Sequence, residues 1–111
     1  WLVHSNHYLS PKMLKFERNP QEKFCSILRY NRAAKLLKAA LGRVTPDTIM
    51  EIQRDHLSRP DSICRHENPA DKEADRVKTL FGSIVNLTTG EVYISGSTPC
   101  ETEYRTYRLS G

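Results

Sequence analysis

The side chains that could do chemistry fall in a few short strings. His4, Asn6 and His7 lie within HSNHYLSP at positions 4–11, Cys64 and His66 flank Arg65 within SICRH at 62–66, and Asp55-His56, Cys25 and Cys100 stand apart. Metal binding is the first chemistry to weigh. Residues three apart on an extended strand point to opposite faces, so His4 and His7 would not share one ion. Cys64 and His66 would share a face, but two ligands do not fill a tetrahedral shell, and no metal is expected. Nucleophilic catalysis is the second. A thiolate needs a base within reach and an oxyanion hole; SICRH supplies thiol and imidazole, but no further residue in the string orients them. Cys64 therefore reads as a packed thiol. Asn6 is the third candidate. Asparagine has low strand propensity, and its amide could donate to a developing oxyanion if held rigidly. An edge-strand asparagine bonded to a loop is the plainer alternative.

These residues need elements to position them. Residues 1–9 are strand-compatible, with Val3 and Tyr8 favouring extended backbone, and Ser10-Pro11 ends them. Residues 12–23 read as a polar connection broken at Asn19-Pro20. Ser26 can cap a helix running to about Leu41, on which Ile27, Tyr30, Ala34, Leu37 and Leu41 recur at spacings of three and four. Gly42 is a natural stop. Thr45-Pro46-Asp47 then offers a cap, a first-turn proline and a first-turn acid for a second helix, whose apolar stripe runs through Ile49, Ile52 and His56 or Leu57. Residues 58–78 are loop-like by charge and proline content. TLFGSIVNL, the turn Thr88-Thr89-Gly90 and EVYISG predict a β-hairpin, and residues 104–109 alternate as a last strand. The expected class is α+β: a helical hairpin packed on an antiparallel sheet.

Size and composition bound the function. The 111 residues form one domain's worth of chain, 38% hydrophobic and 27% charged. No apolar run reaches the roughly 20 residues that span a bilayer, and no secretory leader pattern opens the sequence. The net charge of +4 comes from scattered lysines and arginines without a dense basic tract, so neither nucleic acid nor membrane is an expected partner. Three widely spaced cysteines with no CxxC argue against a disulfide framework and for a reducing, cytoplasmic setting. The chain opens on Trp1 in an element-like pattern, which reads as a piece of a longer protein.

HSNHYLSP, RDHLSRPDSICRH and TLFGSIVNLTTGEVYISGSTPCETEYRTYRL, taken in that order, resemble the C-terminal third of the isopenicillin N (acyl-coenzyme A:6-aminopenicillanic acid) acyltransferase-like enzymes, a branch of the N-terminal nucleophile hydrolases. The resemblance implies an αββα sandwich, of which these residues would form a part. It implies a precursor that cleaves itself to expose an amino-terminal cysteine, whose thiolate attacks an amide, ester or thioester with its own α-amine as base. No cofactor is implied. Asn6 matches the asparagine that helps hold the tetrahedral oxyanion. His4, His7 and Tyr8 would line or support the substrate pocket. Arg76 resembles a substrate-facing arginine that meets a carboxylate.

None of Cys25, Cys64 and Cys100 is at the amino terminus, so the nucleophile would belong to the remainder of the parent enzyme. These residues alone are then expected to be inactive toward small-molecule amides or acyl-CoA. Their uncovered sheet face is expected to drive self-association. The competing reading is a self-contained, non-catalytic α+β binding or interaction domain whose mild positive charge accepts an anionic partner.

Overall fold

The structure, a computed structural model, describes residues 1–109. Its helices and sheet make the α+β class expected from the sequence. Helix α1 spans Pro20–Ala39 and helix α2 spans Pro46–Gln53, and they precede the strands β1 (Ser83–Asn86), β2 (Glu91–Ser95) and β3 (Tyr104–Arg108). Short 3₁₀ turns at Leu14–Phe16 and Glu73–Asp75 punctuate the connections.

Helix α1 starts earlier than its apolar spacing suggests. Asn19 is the N-cap, its side chain accepting from Glu22 N at 3.0 Å, with Pro20 in the first turn. The supposed break at Asn19-Pro20 is thus a start signal, and Ser26 is an interior residue, fully buried. The helix ends at Ala39, so Leu41 falls beyond it and is exposed, and Gly42 turns the chain at φ +77°. Helix α2 begins as its sequence dictates. Thr45 and Thr48 form a reciprocal capping box, with Pro46 in the first turn. It stops at Gln53 rather than reaching Leu57, because Asp55 turns its carboxylate onto Leu57 N and Arg32.

The sheet is antiparallel in the order β1-β2-β3. Ile84 pairs with Tyr93 and Val85 with Val92 across the hairpin, and Val92 then pairs with Tyr107 of β3. Helix α2 lies against β1, where Gln53 donates to Ser83 O at 3.0 Å and accepts from the Tyr104 hydroxyl at 2.6 Å. The opposite sheet face carries Val85, Ile94 and Tyr107, all exposed.

Residues 1–9 are not a strand. Among the described residues the sheet holds only the three later strands. The first segment is instead held by side chains against α1, so the geometry that separated His4 from His7 as strand neighbours does not apply.

The buried apolar set among the described residues is small: Val3, Cys25, Cys64 and Pro99. The chain exposes 8093 Å², against about 6,300 Å² for a folded monomer of its 12.8 kDa. The radius of gyration, 15.4 Å, likewise exceeds the roughly 13 Å of a tightly packed chain this long. No helix among the described residues is long and apolar enough to cross a membrane.

Candidate functional site

The buried hydroxyl of Ser26 organises the N-terminal segment. Asn6 N donates to it at 2.7 Å, His7 Nδ1 lies 2.8 Å from it, and it donates to Ser5 Oγ at 2.9 Å. One hydroxyl offers one donor and two acceptor sites, so these three bonds saturate it. His7 is buried, its ring edge-on to Tyr30 with centroids 5.6 Å apart. It is as much a structural anchor as a pocket wall.

Anchored in this way, Asn6 presents its amide to two cavities. One is an open groove of about 790 Å³ bordered by His4, His7 and Tyr8 on one side and by Met13, Phe16 and Glu17 on the other. The second, about 320 Å³, lies between Asn6, Arg29, Arg65 and Lys78. Arg29 Nη2 donates to Asn6 Oδ1 at 3.1 Å. Arginine is only a donor, so this bond fixes which end of the amide is oxygen and turns the NH₂ end away from Arg29.

Arg29 is held in turn by Glu22 at 3.0 Å, and Glu22 also accepts from Arg65 at 3.1 and 3.3 Å. Partial burial alone would raise the Glu22 carboxyl, but the bonds and charges of the two guanidinium groups outweigh it and hold it below its ordinary value. Two buried atoms here, Arg29 Nη1 and Glu17 Oε2, have no hydrogen-bond partner among the described residues. A donor and an acceptor thus lie buried and unpaired, each on a residue that lines one of the cavities bordered by Asn6.

Four of the five site residues expected from the sequence gather here: Asn6, His4, His7 and Tyr8 border the same groove. Arg76 is elsewhere. Its guanidinium is exposed and donates to Asp71 O at 3.2 Å and Pro69 O at 3.3 Å, closing its own loop. Arg29 is the cation beside Asn6. In the sequence Arg29 is one of many scattered basic residues; its i+3 spacing from Ser26 is the available signal, once α1 is known to start at Pro20.

Among the described residues no cysteine borders either cavity. All three cysteines are free thiols. Burial raises the Cys25 thiol, reinforced by Asp61, and burial with the neighbouring Cys100 pushes Cys64 up to about 11. Neither is thiolate at neutral pH without a further charge nearby, which disfavours both as nucleophiles.

A second constellation lies at the other end of the loop, where His56, Cys64, His66 and Cys100 bring one donor atom each within 4.8 Å of all the others. His56 Nε2 is 3.1 Å from His66 Nε2, which is also 3.8 Å from Cys64 Sγ and 3.3 Å from Cys100 Sγ. Burial, then the charges of Arg59 and His56, holds the His66 imidazole below its usual range.

Fold and site thus define an α+β chain with an anchored asparagine beside an open groove. Compared with protein-family models and with curated proteins, the sequence matches neither a family nor an individual protein.

Proposed function

We propose that this chain is the C-terminal segment of an N-terminal nucleophile amidohydrolase or acyltransferase, in which Asn6 donates to the oxyanion formed when a cysteine from outside these residues attacks an amide or thioester carbonyl. The thiolate adds to the carbonyl carbon, and its oxygen takes the negative charge. Collapse expels the amine or thiol and leaves an acyl-cysteine, which water or an acceptor amine then resolves. What supports the reading is the orientation of the Asn6 amide: Arg29 occupies its oxygen and Ser26 its backbone N–H, so the free end is a donor held on two sides. A donor pre-aimed at an oxyanion contributes about two to three powers of ten in rate.

The Arg29 guanidinium, which borders the second cavity beside Asn6, would attract a carboxylate on the substrate by its charge, the role that resemblance gave to Arg76. Asn6 itself is exposed, and an oxyanion donor needs water excluded. The missing wall would be the remainder of the parent enzyme. The surface excess of the isolated chain, roughly 1,800 Å² over a typical monomer, matches one side of a large permanent interface.

The test begins with the reading frame upstream of Trp1, which should encode a cysteine that becomes amino-terminal on processing. In that longer protein, Asn6→Ala should lower kcat on a thioester substrate by 10²–10³ while an acyl-cysteine adduct still forms slowly and is seen by intact mass. Residues 1–111 alone should give no turnover of acyl-CoA or penicillins. Single-chain activity abolished by Cys64→Ala would refute the reading. So would a frame without such a cysteine, which favours the self-contained binding domain.

A further inference from the structure

We propose that His56, Cys64, His66 and Cys100 form a structural Zn²⁺ site that staples three loops of the fold together. The three loops are the exit of α2, the 62–66 loop and the β2–β3 connection, and the site is independent of the acyl-transfer reading. The first observation is geometric. Bonds of about 2.0–2.1 Å to nitrogen and 2.3 Å to sulfur in a tetrahedron give edges of about 3.3 Å between nitrogens and about 3.6 Å between nitrogen and sulfur. The His56–His66 separation is 3.1 Å and the two Cys–His66 separations are 3.8 and 3.3 Å.

The second observation is one of valence. His66 Nε2 has three polar neighbours at these distances, yet one ring nitrogen carries a single proton or a single lone pair. Hydrogen bonding satisfies one neighbour. A cation among the four donor atoms takes one lone pair from each and satisfies all of them.

The third observation is the surroundings. His66 turns Nε2 to the cluster and leaves Nδ1 on the far side, 3.9 Å from Glu101 Oε1 and longer than a hydrogen bond. The backbone is pinned on every side. Cys64 N donates to Asp55 O at 3.0 Å, Arg65 N to Thr79 Oγ1 at 2.9 Å, and Arg54 Nε to Pro99 O at 2.9 Å. Two thiolates and two neutral imidazoles cancel the charge of a divalent cation, which makes burial beside the fully buried Cys64 tolerable. Two sulfurs and two nitrogens in a tetrahedral arrangement select zinc over magnesium or calcium. Four protein ligands close the shell, so the role is structural rather than hydrolytic. A chain with so small a buried core is the kind a metal staple supports.

The test is metal analysis of residues 1–111 produced in zinc-supplemented medium and purified in a phosphine reductant without chelator. One Zn²⁺ per chain is expected by native mass spectrometry, with a Kd below about 10⁻⁷ M in competition with a chromophoric chelator. Co²⁺ in its place should show the visible bands of a tetrahedral thiolate complex. Cys100→Ser alters an exposed ligand and should lose stoichiometric binding with its far-UV spectrum intact. Substoichiometric zinc in the reduced protein overturns the proposal, as does a Cys100→Ser chain that binds as tightly as the parent. A reduced chain that holds no metal and forms a Cys64–Cys100 disulfide in air overturns it in favour of a thiol pair.

Discussion

Ser26→Ala is the sharpest perturbation of the N-terminal segment, because a single buried hydroxyl holds it at three points. Removing the hydroxyl strands the His7 ring nitrogen in a site where His7 is 7% exposed. A buried group left without its partner costs about 1–3 kcal/mol. The Asn6 N–H also loses its acceptor, but it is only partly buried and water can reach it, so its loss costs about 0.5–1 kcal/mol. Ser5 Oγ can turn to solvent. Against these losses, alanine is favoured over serine inside a helix by about 0.5 kcal/mol. The net expectation is a destabilisation of about 2 kcal/mol, equivalent to roughly 1 M in the urea midpoint for a chain of this size.

Equilibrium urea unfolding followed by circular dichroism measures it. Combining Ser26→Ala with His7→Phe, which keeps an edge contact to Tyr30, should give a coupling energy of about 1 kcal/mol. Hydrogen exchange at the Asn6 amide should speed up in the single mutant. A midpoint within about 0.2 M of the parent, or strictly additive single mutants, would refute the anchoring role and with it the rigid presentation of Asn6.

Four further outcomes follow from the same geometry. A Cβ at buried Gly82 would meet the Tyr104 hydroxyl, Gln53 Oε1 at 2.6 Å and Pro99 Cγ at 3.1 Å, so Gly82→Ala should cost about 1–3 kcal/mol and break the Tyr104–Gln53 bond; an unchanged urea midpoint would count against this packing. The Glu22 carboxyl is depressed from its ordinary 4.5, so its ion pairs add stability above that pH and lose it as pH falls through the lower folded value; carboxyl NMR should show a titration below 4.5, and Glu22→Gln should flatten the acid limb of the stability profile. Arg29→Met should leave the Asn6 amide free to rotate, visible as averaged Nδ2 proton shifts, and in the longer enzyme should raise KM for carboxylate-bearing substrates. The exposed Val85, Ile94 and Tyr107 face should drive concentration-dependent self-association in sedimentation velocity, which Val85→Lys with Tyr107→Lys should suppress; a parent chain that stays monomeric at high concentration favours the self-contained domain.

The parts of the fold that are local were legible in the sequence. Thr45-Pro46-Asp47 carries its cap, first-turn proline and acid within three residues, and the hairpin carries its turn glycine, Gly90 at φ +73°, between two alternating runs. The start of α1 was misread although Asn19-Pro20 follows the same rule as Thr45-Pro46. A proline in a polar run reads equally as a break, and Ser26 six residues on is a capping type, so the local string does not choose between the two starts. The first segment was misread because Val3 and Tyr8 favour extended backbone, whereas strand formation needs a neighbour to pair with. The Cys–His cluster had only half a sequence signal, the Cys64–His66 pair. Its ligands lie at positions 56, 64, 66 and 100, and no local spacing announces that the β2–β3 connection folds back over the end of α2. SICRH carries two of the donor atoms, on Cys64 and His66, and the fold brings those of His56 and Cys100 beside them.

Arg65 joins the two constellations. It sits in the chain between Cys64 and His66, and its guanidinium donates to Asp61 at 3.0 Å and to both oxygens of Glu22 at 3.1 and 3.3 Å. Glu22 holds Arg29, and Arg29 holds the oxygen of Asn6. The loop that carries two of the cluster's donor atoms is therefore linked to the candidate oxyanion donor by an unbroken run of charge-assisted bonds. Such a run transmits position only if each member is itself fixed, and Arg65 is fixed at its backbone by Thr79 and at its guanidinium by Asp61 and Glu22. Lysine could not replace it: one ammonium cannot span Asp61 and a two-oxygen contact to Glu22, which the planar guanidinium does. SICRH thus has a physical reason for an arginine between its thiol and its imidazole. Whatever orders this loop also orders Asn6.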